Sequence, residues 1–127
     1  MTGLTGGCLC GAVRYGAQAA QEGVVACHCS QCRRWSGHVW ASIEVTGLRI
    51  ECEDSLRWFR SSAQAERGFC ATCGSSLFFR ALDSGLPEVS GGSLDTPTGL
   101  RLVRHGRSAS KGDYYEIADG VPQDGQE

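Results

Sequence analysis

Seven of the eight cysteines fall into three groups: Cys8-Leu9-Cys10, Cys27-His28-Cys29-Ser30-Gln31-Cys32 and Cys70-Ala71-Thr72-Cys73-Gly74. Cys52 stands apart. Clustered thiolates are soft ligands, and the ion they suit best here is zinc, which takes four ligands in a tetrahedron at ~2.3 Å from sulfur. A Cys-x-x-Cys turn folds two sulfurs onto one ion, and a glycine after it relieves the tight backbone. Alternate side chains of an extended segment share a face, so Cys8 and Cys10 can present their sulfurs together. Cys8, Cys10, Cys70 and Cys73 therefore form a candidate closed four-sulfur site. It would staple the start of the chain to its middle across residues 11–69, as structural zinc sites do.

Cys27, Cys29 and Cys32 have no close fourth partner. Three protein ligands and an open position are the pattern of catalytic zinc. The alternative is that Cys52 or a histidine closes the site. Cys52 shares strand parity with Leu48 and Ile50, which predicts a buried, unligated thiol in the core. An open site would hold its ion less tightly, and partial occupancy is expected there. His28 lies between two ligands on an extended stretch, so its ring is expected to point away from the sulfurs and to pack or support. His38 and His105 belong to no motif. Arg33-Arg34 follows the cluster, and Arg67 sits three residues before Cys70. Cations here would favour thiolates, and Arg33 and Arg67 are candidates to bind the carboxylates of a substrate. Trp35, Trp40, Trp58, Phe59, Phe69, Phe78 and Phe79 read as core, with Trp35 the exception because it flanks the cluster.

The elements that must position these groups are short. Period-two or compact apolar runs occur at residues 12–15, 24–27, 38–45, 48–52, 56–60, 67–70, 77–80 and 100–105. Turn-forming pairs separate many of them, and 18 glycines point the same way. Only Ser30–Ser36 and Ser61–Glu66 read as helical turns. The fold class is mainly β, with eight or nine strands and little helix. A length of 127 residues suits one domain, 1–127, and the polar tail 119–127 is expected to fray. Net charge is −2, without the concentrated basic face of a nucleic-acid binder. No run is long enough for a membrane span. The first residues lack a signal-peptide pattern, so clustered thiols read as metal ligands in a cytoplasmic protein rather than as disulfides.

Three blocks resemble one family: Gly6-Gly7-Cys8-Leu9-Cys10-Gly11-Ala12-Val13-Arg14-Tyr15, then Cys27 to Arg34, then Arg67-Gly68-Phe69-Cys70-Ala71-Thr72-Cys73-Gly74-Ser75. Gly92-Ser93-Leu94-Asp95-Thr96-Pro97 resembles a fourth, weaker block. The family is that of the glutathione-dependent formaldehyde-activating enzymes, also called the centromere protein V/GFA domain. The resemblance runs from about Gly6 to Pro122. It implies an Mss4-like fold of β-sheet built around zinc, with two metal sites divided as above. It also implies carbon–sulfur lyase chemistry on S-hydroxymethylglutathione, the adduct of formaldehyde and glutathione. The chain departs from the family near its end, where Tyr114-Tyr115 stands in place of a common tryptophan before Asp119-Gly120-Val121-Pro122.

Two functions follow. One is a zinc enzyme acting on an adduct of glutathione or another small thiol, with Cys27, Cys29 and Cys32 holding the reactive ion. The other is a non-catalytic zinc module that binds a protein partner. The open position and the nearby arginines favour the enzyme.

Overall fold

The computed structural model describes residues 3–125. Nine strands form one sheet: β1 (Gly3–Gly7), β2 (Arg14–Ala19), β3 (Val24–Cys27), β4 (Trp40–Ile50), β5 (Leu56–Ser62), β6 (Ala65–Cys70), β7 (Ser76–Ala81), β8 (Glu88–Ser90) and β9 (Leu102–Gly106). The main path runs β1-β2-β4-β8-β7-β6-β5, and β3 branches from β4 and carries β9 beside it in parallel. One helix, α1 (Ser30–Ser36), lies between β3 and β4. The mainly β class expected from the sequence is the class observed. No helix among the described residues is long and apolar enough to cross a membrane.

The sheet's register sorts its side chains onto two faces. Trp58, Gly68, Phe78, Val89 and Ile43 are successive cross-strand partners and therefore share one face. That face is the core, joined by Leu4, Val13, Tyr15, Val45, Leu77 and Leu94. Phe78 is fully buried, with its ring edge-on to Tyr15 and stacked with Trp58. The row Phe59, Arg67, Phe79, Glu88 and Glu44, one residue out of step, lies on the opposite face. β1 is rich in glycine for a packing reason. A Cβ on Gly6 would fall 2.5 Å from the Tyr15 hydroxyl and from the Ser93 carbonyl.

Several local expectations need correction. Residues 61–66 form no helical turn, because β5 and β6 continue into a hairpin across Ala63-Gln64. Cys52 is exposed rather than buried. β4 ends at Ile50 and the chain turns toward β5, so the parity inherited from Leu48 and Ile50 stops before Cys52. Phe59 is 59% exposed, because β5 is an edge strand and the Arg67 face is open there. Of the tail, residues 119–125 are held in place. Asp119 bonds His105, Gln123 bridges to His105, and the Asp124 amide donates to the His105 carbonyl at 2.7 Å. Backbone pairing to β9 anchors this segment, which no side-chain pattern announces. Gln126 and Glu127 lie outside the described residues.

Phe78 links the stacked Trp58 to the centre of the core. Phe78→Ala is expected to cost about 3–5 kcal/mol. Urea unfolding followed by circular dichroism measures this, and a loss below about 1 kcal/mol, the scale of a surface change, would show that the core is centred elsewhere.

Candidate metal centre

Two cysteine groups have the geometry to hold a metal ion. In each, all the sulfurs lie within 4.8 Å of one another: Cys8, Cys10, Cys70 and Cys73 in one group, Cys27, Cys29 and Cys32 in the other. A tetrahedron with ~2.3 Å metal–sulfur bonds has edges of about 3.8 Å. The Cys8–Cys10 and Cys10–Cys70 sulfur separations are 3.7 and 3.8 Å, so the first group fits such an ion. No sulfur bond is needed to explain them, since all eight cysteines are free thiols. Cys52 belongs to neither group.

The first group joins two turns. After Cys73 the chain enters the left-handed region at Gly74 (φ 82°), and the Gly74 amide donates to the Cys70 carbonyl at 2.7 Å. The Cys8 loop docks onto this turn through the Leu9 amide, which donates to the Ser75 hydroxyl oxygen at 3.0 Å. The Val13 amide donates to the Cys8 sulfur at 3.2 Å. The Ser75 hydroxyl and amide pull the Cys73 thiol down to about 5. Cys70 is fully buried in the core, which ties this junction to the main sheet face.

The second group is built where β3 meets α1. Cys27 ends β3, Cys29 caps the helix, and Cys32 is the helix's only buried residue. The Cys29 sulfur accepts from the Cys32 amide at 3.3 Å. Its neighbour Cys32, the backbone amide of Cys29 and the Cys29 thiol together lower Cys27 to about 5, and Cys32 is correspondingly raised.

These sulfurs open on a cavity of about 510 Å³, walled also by Gln31, Trp40, Arg67, Phe79, Glu88 and Arg107. Arg67 is 4% exposed and lies between the rings of Trp35 and Phe79, 5.1 Å from each. Its Nη1 donates toward the Cys32 sulfur at 3.5 Å and its Nη2 to Gln31 at 3.3 Å. Its Nε–H is the one buried side-chain donor without a partner among the described residues. A buried donor left unpaired costs about 1–3 kcal/mol, a cost relieved when an acceptor enters. Arg33, the other candidate from the sequence, turns away. Its Nε donates to the Ser110 carbonyl at 2.9 Å, outside the lining of this cavity.

His28 points away from the sulfurs into a chain that runs through the protein. Its Nδ1 meets the Tyr115 hydroxyl at 2.6 Å, its Nε2 meets His105 Nδ1 at 2.9 Å, and His105 Nε2 meets Asp119 at 2.8 Å. Donors and acceptors match with both rings neutral: Tyr115 donates to His28, His28 to His105, and His105 to the carboxylate. Burial and the adjacent His105 lower the His28 pKa, which agrees with a neutral ring. The Val121 amide and His105 hold Asp119 below the usual carboxylate range. His38 bonds the Tyr114 hydroxyl instead. No sequence pattern announces this chain, nor Glu88 and Arg107 in the cavity, and Phe79, expected in the core, lines the cavity instead. Their meeting depends on strand register and on contacts up to 87 residues apart.

The family model for the glutathione-dependent formaldehyde-activating enzymes matches residues 3–107, and the chain belongs to that family. An uncharacterized lyase of Schizosaccharomyces pombe is 33% identical over 75 residues, which are 58% of this chain. The chain spans about half, 55%, of that protein's length. A crystal structure of a Rhodobacter sphaeroides protein has the same fold, with a TM-score of 0.63 and 22% identity over 94% of this chain and 99% of that one.

Closed cysteine sites contribute roughly 10–16 kcal/mol in zinc-finger peptides at neutral pH, as much as a whole small domain's stability. Cys70→Ser is therefore expected to give insoluble or unfolded protein, checked by solubility and thermal melting. Soluble protein with an unchanged cooperative melt would contradict a metal staple at this junction.

Proposed function

We propose that the chain is a zinc protein with carbon–sulfur lyase-type activity on the adduct of a small thiol and an aldehyde, S-hydroxymethylglutathione being the model substrate. In this reading Cys8, Cys10, Cys70 and Cys73 would hold one zinc ion, and Cys27, Cys29 and Cys32 would hold a second with room for an exchangeable ligand. What such an ion supplies is a Lewis acid for a soft sulfur ligand at neutral pH. One observation carries the proposal: three sulfurs with no fourth ligand among the described residues line a cavity whose buried arginine has an unpaired donor. A structural site has no use for such a cavity. Family membership and the lyase-named relative support the reaction class.

The protein's own groups divide the work. Arg67 meets an oxygen of the bound adduct through its Nε–H. Its stacking between Trp35 and Phe79 fixes the guanidinium plane. Arg107, in the left-handed conformation (φ 55°), stands at the cavity wall and is placed to meet a carboxylate of the thiol. Arg33 acts indirectly by holding the Ser108–Ser110 turn against α1. Free thiols in this number suit a reducing compartment such as the cytoplasm.

Glutathione added to zinc-loaded protein is expected to change the coordination of part of the zinc, read by X-ray absorption, or to strip that part. Cys27→Ser and Cys32→Ser should abolish the response, since they remove the open site. Unchanged coordination at millimolar thiol would overturn the thiol-adduct reading and leave a partner-binding zinc module as the better one.

A further inference from the structure

Behind the three sulfurs lies a second cavity of about 310 Å³, lined by Gln21, Ser42, Glu44, Arg104 and Asp124 among others. It shares three wall residues with the larger cavity: Cys27, Glu88 and Arg107. Among the described residues Glu88 is the one carboxylate that lines both. It projects from β8, pinned between β4 and β7, on the same sheet face as Arg67 and Phe79. The Ser42 hydroxyl donates to its Oε1 at 2.7 Å, which fixes the carboxyl group's orientation. Among the described residues no arginine or lysine forms an ion pair with it. A half-buried acid without an ion-pair partner beside the three sulfurs is poor for stability and suited to moving protons.

We propose that Glu88 is the general acid–base of this site, carrying one proton between the thiol and the aldehyde oxygen. This rests on the thiol-adduct reading above. In adduct formation the thiol S–H gives its proton to the Glu88 carboxylate. The sulfur's electron pair then forms the C–S bond, the C=O π pair moves onto oxygen, and Glu88 returns the same proton there to make the hydroxyl. Breakdown runs in reverse. Nothing is oxidised or reduced, and the carboxylate ends as it began. The Arg67 Nε–H is placed on the same face to receive the negative oxygen between those transfers.

The groups around Glu88 suit this role. Burial pushes its carboxyl up, the Ser42 hydrogen bond pulls it down, and Glu44 and the Cys27 thiolate push it up again, with Arg67 opposing. Arg107 faces it from the segment after β9. A carboxyl raised from its usual value is the better donor to an alkoxide at neutral pH.

The test is exchange of carbon-13 formaldehyde between free and glutathione-bound forms, followed by NMR against pH on zinc-loaded protein. Both directions start from the ionised carboxylate, so the wild-type rate should rise with pH through the Glu88 pKa and then level off. Glu88→Gln still accepts the Ser42 hydrogen bond. It should retain its melt, zinc content and glutathione affinity while losing about 10²–10⁴-fold in rate together with the rising limb. Ser42→Ala keeps the carboxylate but removes the bond that lowers its pKa, so its limb should move to higher pH. An E88Q rate equal to wild type, or an unshifted limb in S42A, overturns the proposal. If the wild-type protein itself does not speed exchange, the thiol-adduct reading fails and this proposal falls with it. That outcome is distinct because the wild-type rate is read first.

Discussion

The junction of Cys8, Cys10, Cys70 and Cys73 is the constraint on which the rest of the structure depends. It holds the loop after β1 against the turn between β6 and β7, contacts separated by 60 residues in the chain. Closing so long a loop is entropically costly, and nearby backbone bonds such as Leu9 to Ser75 are exposed and weak alone. An ion shared by the four sulfurs would supply the missing free energy in one place. The core then grows outward from it, because Cys70 and Cys8 are themselves part of the buried cluster with Phe78, Leu77 and Val13.

The second cysteine group rests on this frame but is built differently. Its three sulfurs come from one short stretch of chain, so they need no long-range closure to meet. What is long-range is the environment. Arg67 and Phe79 come from the hairpin that the first group anchors, and Glu88 from the short strand beside it. The Tyr115–His28–His105–Asp119 chain ties the residue between Cys27 and Cys29 to β9 and the C-terminal segment. The two clusters thus sit differently: one at the junction of two turns beside the core, the other on a cavity that the sheet's second face supplies.

The cysteine grouping was legible in the sequence because ligand spacing is local. Alternation in Cys8-Leu9-Cys10, the glycine after Cys73 and the single helical turn at Ser30–Ser36 all lie within a few residues. Cys52 was misplaced because period two gives parity but not the end of a strand. Glu88 was invisible because β8 is three residues long, and its meeting with Arg67 is a matter of register across two further strands. His28 was oriented correctly by alternation, yet its partners were hidden, since His105 and Asp119 are isolated in sequence. The segment 119–125 has a polar composition typical of fraying ends, but backbone pairing to His105 outweighs composition there.

The central claim is that the two cysteine groups bind zinc in unlike ways, one as a staple and one as an open site. The most direct measurement is zinc release to a chromogenic chelator with near-UV circular dichroism recorded on the same sample. The account expects two zinc ions per chain leaving in two phases: a fast one with the fold intact, absent in Cys32→Ser, and a slow one coincident with unfolding. Zinc leaving in a single phase, or unfolding that accompanies the fast phase, would contradict it.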